Sequence, residues 1–246
     1  MKDILLYPAG STEACTLAGT YLHKLGFPIT DHPAPEITHL LLDVPAFRSD
    51  GMLRSGEDPK KLLSMVPGNV TVVGGNLNCA ALREHTKLDL LQDAGYLAEN
   101  AAITAECALK VAAPLLKTTF RDTPTLILGW GRIGKCLAQL LKGLHCPVTV
   151  AARKESDRAT LRALRYDAID FTQLSQKPFR LVFNTVPAPV PHAALGQCIK
   201  IELASQPGLS GDDVIQARGL PGIHAPESSG KLIAESFFRL WKENVQ

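Results

Sequence analysis

The sequence has no apolar run near the roughly 18 residues of a membrane helix. The opening stretch Met1-Lys2-Asp3-Ile4-Leu5-Leu6-Tyr7-Pro8 is broken too early to serve as the core of a signal peptide. Neither sign of charge dominates. With 26 Lys and Arg against 24 Asp and Glu the net charge is +2, and no basic run is interleaved with aromatics, so the electrostatic case for nucleic acid is missing. The six cysteines, at 15, 79, 107, 136, 146 and 198, form no Cys-x-x-Cys pair and have no histidines at ligand spacing. That removes a zinc site and a disulfide framework and leaves buried, reduced thiols, with Cys136 on the inner side of a helix. Internal repeats and low-complexity segments are also missing. The expectation is a cytoplasmic protein with no metal, membrane or nucleic-acid partner.

What the chain does have is an alternation of strand and helix signals over 246 residues, 46% hydrophobic and 20% charged, enough for two α/β domains. In the first part, strands are expected at 3–7, 37–44 and 69–73 and helices at 12–25 and 59–65. A long apolar helix at 102–116 follows, then strands at 125–128, 147–152, 179–184, 200–205 and 214–217. An amphipathic helix at 228–244, capped by Ser228 or Ser229, closes the chain. The expected fold is α/β, with two doubly wound parallel-sheet domains. Residues 1–101 would form a small flavodoxin-like domain joined by the C-terminal helix 228–246, and 102–227 a Rossmann dinucleotide-binding domain. Loops at the carboxyl ends of parallel strands line the ligand crevice. The polar segments after the early strands, such as Gly10-Ser11-Thr12 and the loop carrying Arg48 and Arg54, are therefore expected to face substrate, although both arginines also read as solvated surface.

The most specific local signal is Thr125-Leu126-Ile127-Leu128-Gly129-Trp130-Gly131-Arg132-Ile133-Gly134, an apolar strand that breaks into Gly-x-Gly-x-x-Gly. Gly129 suits the tight turn, Gly131 the close approach of backbone to pyrophosphate, and Gly134 the packing of helix on strand. Ile133, Leu137, Leu140, Leu141 and Leu144 would form the apolar stripe of the helix that follows. The second strand ends in Ala151-Ala152-Arg153-Lys154, with no carboxylate at its tip to take a ribose 2′-hydroxyl. A guanidinium at Arg153 suits a 2′-phosphate, and Lys154 adds a second charge. This favours NADP and leaves NAD open. The alternative is a solvated Arg153–Lys154 pair, with Glu155 serving the ribose.

Several segments together resemble the A-type family of dipicolinate synthase subunits in residues, order and approximate spacing. They are Asn100-Ala-Ala-Ile-Thr104-Ala-Glu106, Leu128-Gly-Trp-Gly-Arg132-Ile-Gly134, Ala151-Ala-Arg153, Asn184-Thr-Val-Pro187, Leu203-Ala-Ser-Gln-Pro207-Gly208 and Gly219-Leu-Pro-Gly-Ile-His-Ala-Pro226. The resemblance covers about residues 96 to 246 and is thin before that. It implies an NADP-linked dehydrogenase-like protein that works with a flavoprotein-like B-type partner, oxidising a dihydro- or hydroxytetrahydrodipicolinate to dipicolinate in sporulation. Homodimerisation is left open. Gln206 stands where a basic residue is frequent in that family, and His224 where an apolar one is.

The site sketched from the residues places Gly129, Trp130, Gly131, Arg132, Ile133 and Gly134 on the pyrophosphate and Arg153 and Lys154 on the ribose. Asn184, Thr185, Val186, Pro187 and Ser205 would lie against the nicotinamide, although Asn184 to Pro187 also read as a strand end stopped by proline. Asn100 and Glu106 would orient a small anionic substrate, though a Glu in a first helical turn is ordinary dipole chemistry. His224, in a loop opening on the cleft, would act as acid or base, or else serve as a hydrogen-bonded loop residue. Two other functions compete. One is a D-2-hydroxyacid dehydrogenase, whose substrate arginine would fall at Gln206. The other is a non-catalytic NADP-binding regulatory subunit.

Overall fold

The computed structural model describes residues 4–245; Asp3, at the start of the first expected strand, and Gln246 lie outside the described residues. The described chain divides into two compact units, one of 4–100 with 221–245 and one of 101–220.

The first unit contains β1 (Leu6–Pro8), α1 (Glu13–Lys24), β2 (His39–Leu41), α2 (Pro59–Leu63), β3 (Thr71–Gly74) and β4 (Lys87–Asp89). The four strands are parallel and lie side by side in chain order. A single parallel bridge, Leu6 to Ile29, extends the sheet beyond β1, with Leu6 N–H donating to Pro28 at 3.0 Å and Thr30 N–H to Leu6 at 2.9 Å. With Ile29 counted as a strand shrunk to one residue, the order is the flavodoxin-like one, with β1 between its two successors. Thr12 caps α1, accepting from the Cys15 N–H, and Asp58 caps α2 ahead of Pro59 at its first position. The core gathers Leu40, Leu42, Val70, Val72, Leu77 and Leu82, all at most 3% exposed.

The closing helix also belongs to this unit. It begins at Pro226, two residues ahead of the expected serine cap, and runs Pro226–Val245; a proline in the first turn sacrifices no helical hydrogen bond. Directly before it in the chain comes a short helix, Leu220–His224. The closing helix meets α1 at Gly230, where a Cβ would come within 2.7 Å of Leu17 Cβ and 2.8 Å of the Ala14 carbonyl. Phe27 packs edge-on against Phe237, Phe238 and Trp241 of this helix at 5.3–5.9 Å. The backbone contact at glycine and the aromatic cluster together hold the helix on α1.

Helix α3 (Ala94–Ala112) carries the boundary between the units. It starts eight residues before the expected position, because Asp93 caps it through the Tyr96 N–H at 2.7 Å. The second unit continues with β5 (Thr125–Leu128), α4 (Arg132–Gly143), β6 (Val148–Ala151), α5 (Glu155–Ala163), β7 (Asp167–Ile169), β8 (Leu181–Asn184), β9 (Ile199–Glu202) and β10 (Val214–Gln216). The helix Leu220–His224 is α6, and Pro226–Val245 is α7. The six strands are parallel, in the order β10-β9-β8-β5-β6-β7. The order reverses between β5 and β8, and in such sheets ligands bind at the carboxyl ends beside the reversal. β5 and β8 are buried along their whole length, as strands covered on both faces must be. In α4 the buried stripe is Gly134, Leu137, Ala138 and Leu141. Leu144, expected in that stripe, caps the helix and is 44% exposed, and Cys136 is only half-buried. Among the described residues no helix is long and apolar enough to cross a membrane.

Candidate functional site

The register of the second sheet brings Leu128, Ala151, Asn184, Glu202 and Gln216 to one rim. Gly129 leaves that rim at φ +101°, a conformation open to glycine, and a Cβ there would meet Thr185 Oγ1 at 2.7 Å. At Gly134 an added Cβ would lie 2.4 Å from the Gly129 carbonyl, so this glycine lets α4 sit directly on the turn. Gly131, the N-cap of α4, has nothing within 4 Å of its would-be Cβ. The three glycines thus serve a turn, an open face and a close packing. The open face lies at the first turn of a twelve-residue helix, whose N–H groups and dipole favour an anion. A dinucleotide pyrophosphate fits this cradle. Arg132 is exposed and Ile133 half-buried on the same turn. The Trp130 ring lies 5.8 Å from Tyr166, with Lys135 Nζ 5.8 Å from its own centroid and Lys142 Nζ 4.4 Å from that of Tyr166.

At the tip of β6, Arg153 and Lys154 are both exposed. The backbone beneath them is clasped by Arg158, whose Nη1 donates to the carbonyls of Ala152 at 2.6 Å and Arg153 at 2.8 Å and to Asp170 Oδ2 at 2.7 Å. Glu155 is already committed. It accepts from Arg162 Nη2 and from Arg158 Nε, which hold its carboxyl below the ordinary carboxylate range.

The ends of β8 and β9 are joined by a buried polar network. Asn184 and Glu202 are both fully buried and face each other in register. Glu202 Oε2 accepts from Asn184 Nδ2 at 2.7 Å, the Gly208 N–H at 2.9 Å and the Leu209 N–H at 2.7 Å, and its Oε1 accepts from the Ala204 N–H at 2.8 Å. Asn184 also exchanges hydrogen bonds with the Val186 backbone, at 3.1 Å in each direction. Gly208 fits between them: a Cβ there would lie 2.3 Å from the Ala188 carbonyl and 2.6 Å from that of Val186. Four donors on one carboxylate fix the loops after β8 and β9 as one body. Thr185 donates from Oγ1 to the Leu128 carbonyl at 2.8 Å, tying these loops to the glycine turn. Val186 is half-buried, while Pro187 and Ser205 are exposed on the rim. The Ser205 carbonyl accepts from Arg218 Nη2.

The remaining candidates are placed differently. Asn100 and Glu106 both lie inside α3, Glu106 on its exposed side and well beyond the first turn. Six residues at about 100° each leave them roughly 120° apart around the axis, so they do not share a face. His224 ends α6 instead of lying in a loop, and is exposed. Arg48 pairs with Asp50 at 3.1 Å, and Arg54 is exposed. Ser11 and Thr12 turn inward: the buried Asp43 carboxylate accepts both of their backbone N–H groups, at 2.9 and 3.0 Å, and both hydroxyls. An internal carboxylate thus fills the anion position at the start of α1. Cys15, packed beside Asp43, has its thiol pushed up to about 12 by burial, and burial likewise raises Cys107, Cys136, Cys146 and Cys198. These are poor nucleophiles. Among the described residues no group of His, Cys, Asp and Glu is arranged to hold a metal.

Sequence reasoning missed Glu202, Arg158, Asp43 and Arg218. A carboxylate inside an apolar strand, directly before a Ser-x-Pro-Gly turn rich in backbone donors, was the available signal for Glu202. The other three announce themselves only through contacts distant in sequence or on a neighbouring turn.

No protein-family model matches the chain. The A-type component of dipicolinate synthase from Bacillus subtilis (strain 168) is 23% identical over 243 residues, which span 87% of this chain and 81% of that protein. Among solved structures, the A-type dipicolinate synthase component from Bacillus halodurans superposes with a TM-score of 0.82 at 18% identity, covering 98% of each chain. A transhydrogenase from Sinorhizobium meliloti does so with a TM-score of 0.69 at 12% identity, covering 98% of this chain and 94% of that one. The resemblance to the A-type dipicolinate synthase family therefore extends through the fold of the whole chain.

Proposed function

We propose that this chain is the nicotinamide-dinucleotide-binding component of an oxidoreductase that forms dipicolinate from a dihydro- or hydroxytetrahydrodipicolinate, as its resemblance to the A-type dipicolinate synthase family suggests. The observation that carries the dinucleotide reading is the glycine turn: Gly131 faces open space at the start of α4 while Gly129 and Gly134 are sterically obligatory. NADP is the preferred nucleotide in this reading. Arg153 and Lys154 are exposed at the β6 tip, and Glu155, the carboxylate that would serve an NAD ribose, is held by two arginines.

When bound, the nucleotide supplies a hydride acceptor at C4 of its nicotinamide ring. The protein groups bind and orient. Gly131 and the first turn of α4 hold the pyrophosphate, and Arg153 takes the 2′-phosphate. Asn184 and Glu202, with no exposed surface, act by fixing the loops that carry Val186, Pro187 and Ser205. Asn100 and His224 are assigned to the substrate, with Glu106 on a different face of α3. A hydroxytetrahydrodipicolinate must lose water as well as a hydride and a proton, a sequence in which a flavoprotein-like partner has a place.

The test is to combine the chain with its cognate partner, NADP and freshly made 4-hydroxytetrahydrodipicolinate and follow dipicolinate by terbium luminescence. Product is expected, with Asn100→Ala and His224→Ala each lowering turnover at least about tenfold while NADP affinity holds. No product with either nucleotide would overturn the reaction. Normal NADP binding in the same preparation would then leave a nucleotide-binding regulatory protein.

A further inference from the structure

We propose that Arg218, with Ser205 and Gln206 beside it, forms the seat for a carboxylate of the substrate. This deepens the proposed function and rests on it for the identity of that substrate, but not for the seat itself.

β9 and β10 run parallel with Gln216 opposite Glu202, and the Ala217 N–H donates to the Glu202 carbonyl at 2.9 Å. The chain therefore leaves β10 at the same rim, one residue before Arg218. The Arg218 side chain turns across to β9, and its Nη2 donates to the Ser205 carbonyl. One donor of the guanidinium is used in that contact, which anchors the side chain beside the loop after β9. The others remain for a ligand. Ser205, Gln206 and Arg218 are all exposed, so a hydroxyl, an amide and a cation stand at one edge of the sheet.

The charge distribution gives Arg218 its significance. In the segments that follow β8, β9 and β10, namely 185–198, 203–213 and 217–220, it is the one Lys or Arg. Among the described residues no ion pair joins it to a carboxylate; Glu202, the nearest acidic residue along β9, is enclosed by its own four donors. The 2′-phosphate cation Arg153 follows β6, which is four strand positions away in the sheet order. At about 4.8 Å per strand that is roughly 19 Å, too far for both guanidiniums to serve one phosphate. Arg218 thus addresses a second anion, on the β8–β10 side of the switch point. A planar guanidinium with N–H donors to spare matches a carboxylate bound in a fork.

The test is equilibrium dialysis of the NADP-saturated chain against dipicolinate and, separately, against oxalate, for wild type, Arg218→Gln and Arg218→Lys. Arg218→Gln should weaken dipicolinate binding at least about tenfold, equivalent to about 1.4 kcal/mol. Lys should recover part of it, and NADP affinity should be unchanged in both variants, which also reports folding. Equal dipicolinate binding by wild type and Arg218→Gln overturns the seat while leaving the proposed reaction standing. Oxalate binding that depends on Arg218, without any dipicolinate binding, supports the seat and removes dipicolinate chemistry. A wild-type chain that holds NADP but takes up neither carboxylate overturns the seat.

Discussion

Replacing Glu202 by Gln changes the shape of the side chain least and its hydrogen bonding most. In the wild type Oε2 receives three donors and Oε1 one, the Ala204 N–H at 2.8 Å. A glutamine set with its carbonyl at the Oε2 position keeps three of them but turns an NH2 toward the Ala204 N–H, donor against donor. A buried hydrogen bond to a charged group contributes about 1.5–3 kcal/mol, and the orphaned donor adds to the loss. Taking about 2 kcal/mol and a urea slope of about 2 kcal/mol/M, the unfolding midpoint of the 101–220 unit should fall by about 1 M. Amide exchange should accelerate at Ala204, Gly208, Leu209 and Val190, whose N–H donates to the Gly208 carbonyl. Urea unfolding followed by circular dichroism, with exchange read by mass spectrometry, measures both. A midpoint within about 0.2 M of wild type, with unchanged exchange in these loops, would refute the reasoning that the carboxylate holds the rim together.

Arg153→Asp should weaken NADPH binding by about 1.5–3 kcal/mol and spare NADH, seen by fluorescence titration; equal losses for both would remove the 2′-phosphate assignment. Gly134→Ala should destabilise the second unit, since its Cβ meets the Gly129 carbonyl, whereas Gly131→Ala, with nothing within 4 Å, should leave the melting temperature nearly unchanged. Burial works against the charge of Asp93, yet the Tyr96 N–H and the Arg239 guanidinium overcome it and hold the carboxyl below the ordinary range. A depressed folded value means stability that is complete above the unfolded carboxylate pKa and is lost as pH falls through the folded one. Asp93→Asn should therefore cost about 1 kcal/mol at pH 7, limited by the partial exposure of Arg239, and the gap from wild type should close below about pH 4. A gap independent of pH would contradict the pairing.

The long buried elements were legible because their signals are redundant. β5 and α4 combine an apolar run, three glycines and helical spacing. What escaped was short or locally misleading. Ile29 contributes one bridged residue, and β4 and β7, Lys-Leu-Asp and Asp-Ala-Ile, carry no apolar run that would mark a strand. β9 was expected as a strand; what stayed hidden is how its charged residues Lys200 and Glu202, 2% and 0% exposed, are satisfied there. Asp213 neutralises the first at 2.7 Å, and loop N–H groups satisfy the second. Ser11 and Thr12 read as ligand-facing polarity because their partner, Asp43, lies 31 or more positions away. Asn184 carried a signal of the right place but a different mode, since its amide is spent on Glu202 and Val186.

Whether Gly129 to Gly134 cradle a nicotinamide dinucleotide is tested most directly by titrating NADPH and NADH into the wild-type chain and Gly131→Val, with circular dichroism to monitor folding. Saturable binding by wild type, tighter for NADPH, and a folded Gly131→Val that binds neither nucleotide is the predicted result, because the new side chain fills the open face, where its Cβ has nothing within 4 Å. A wild-type chain that binds neither nucleotide, or a folded Gly131→Val that binds NADPH as well as wild type does, would contradict the cradle.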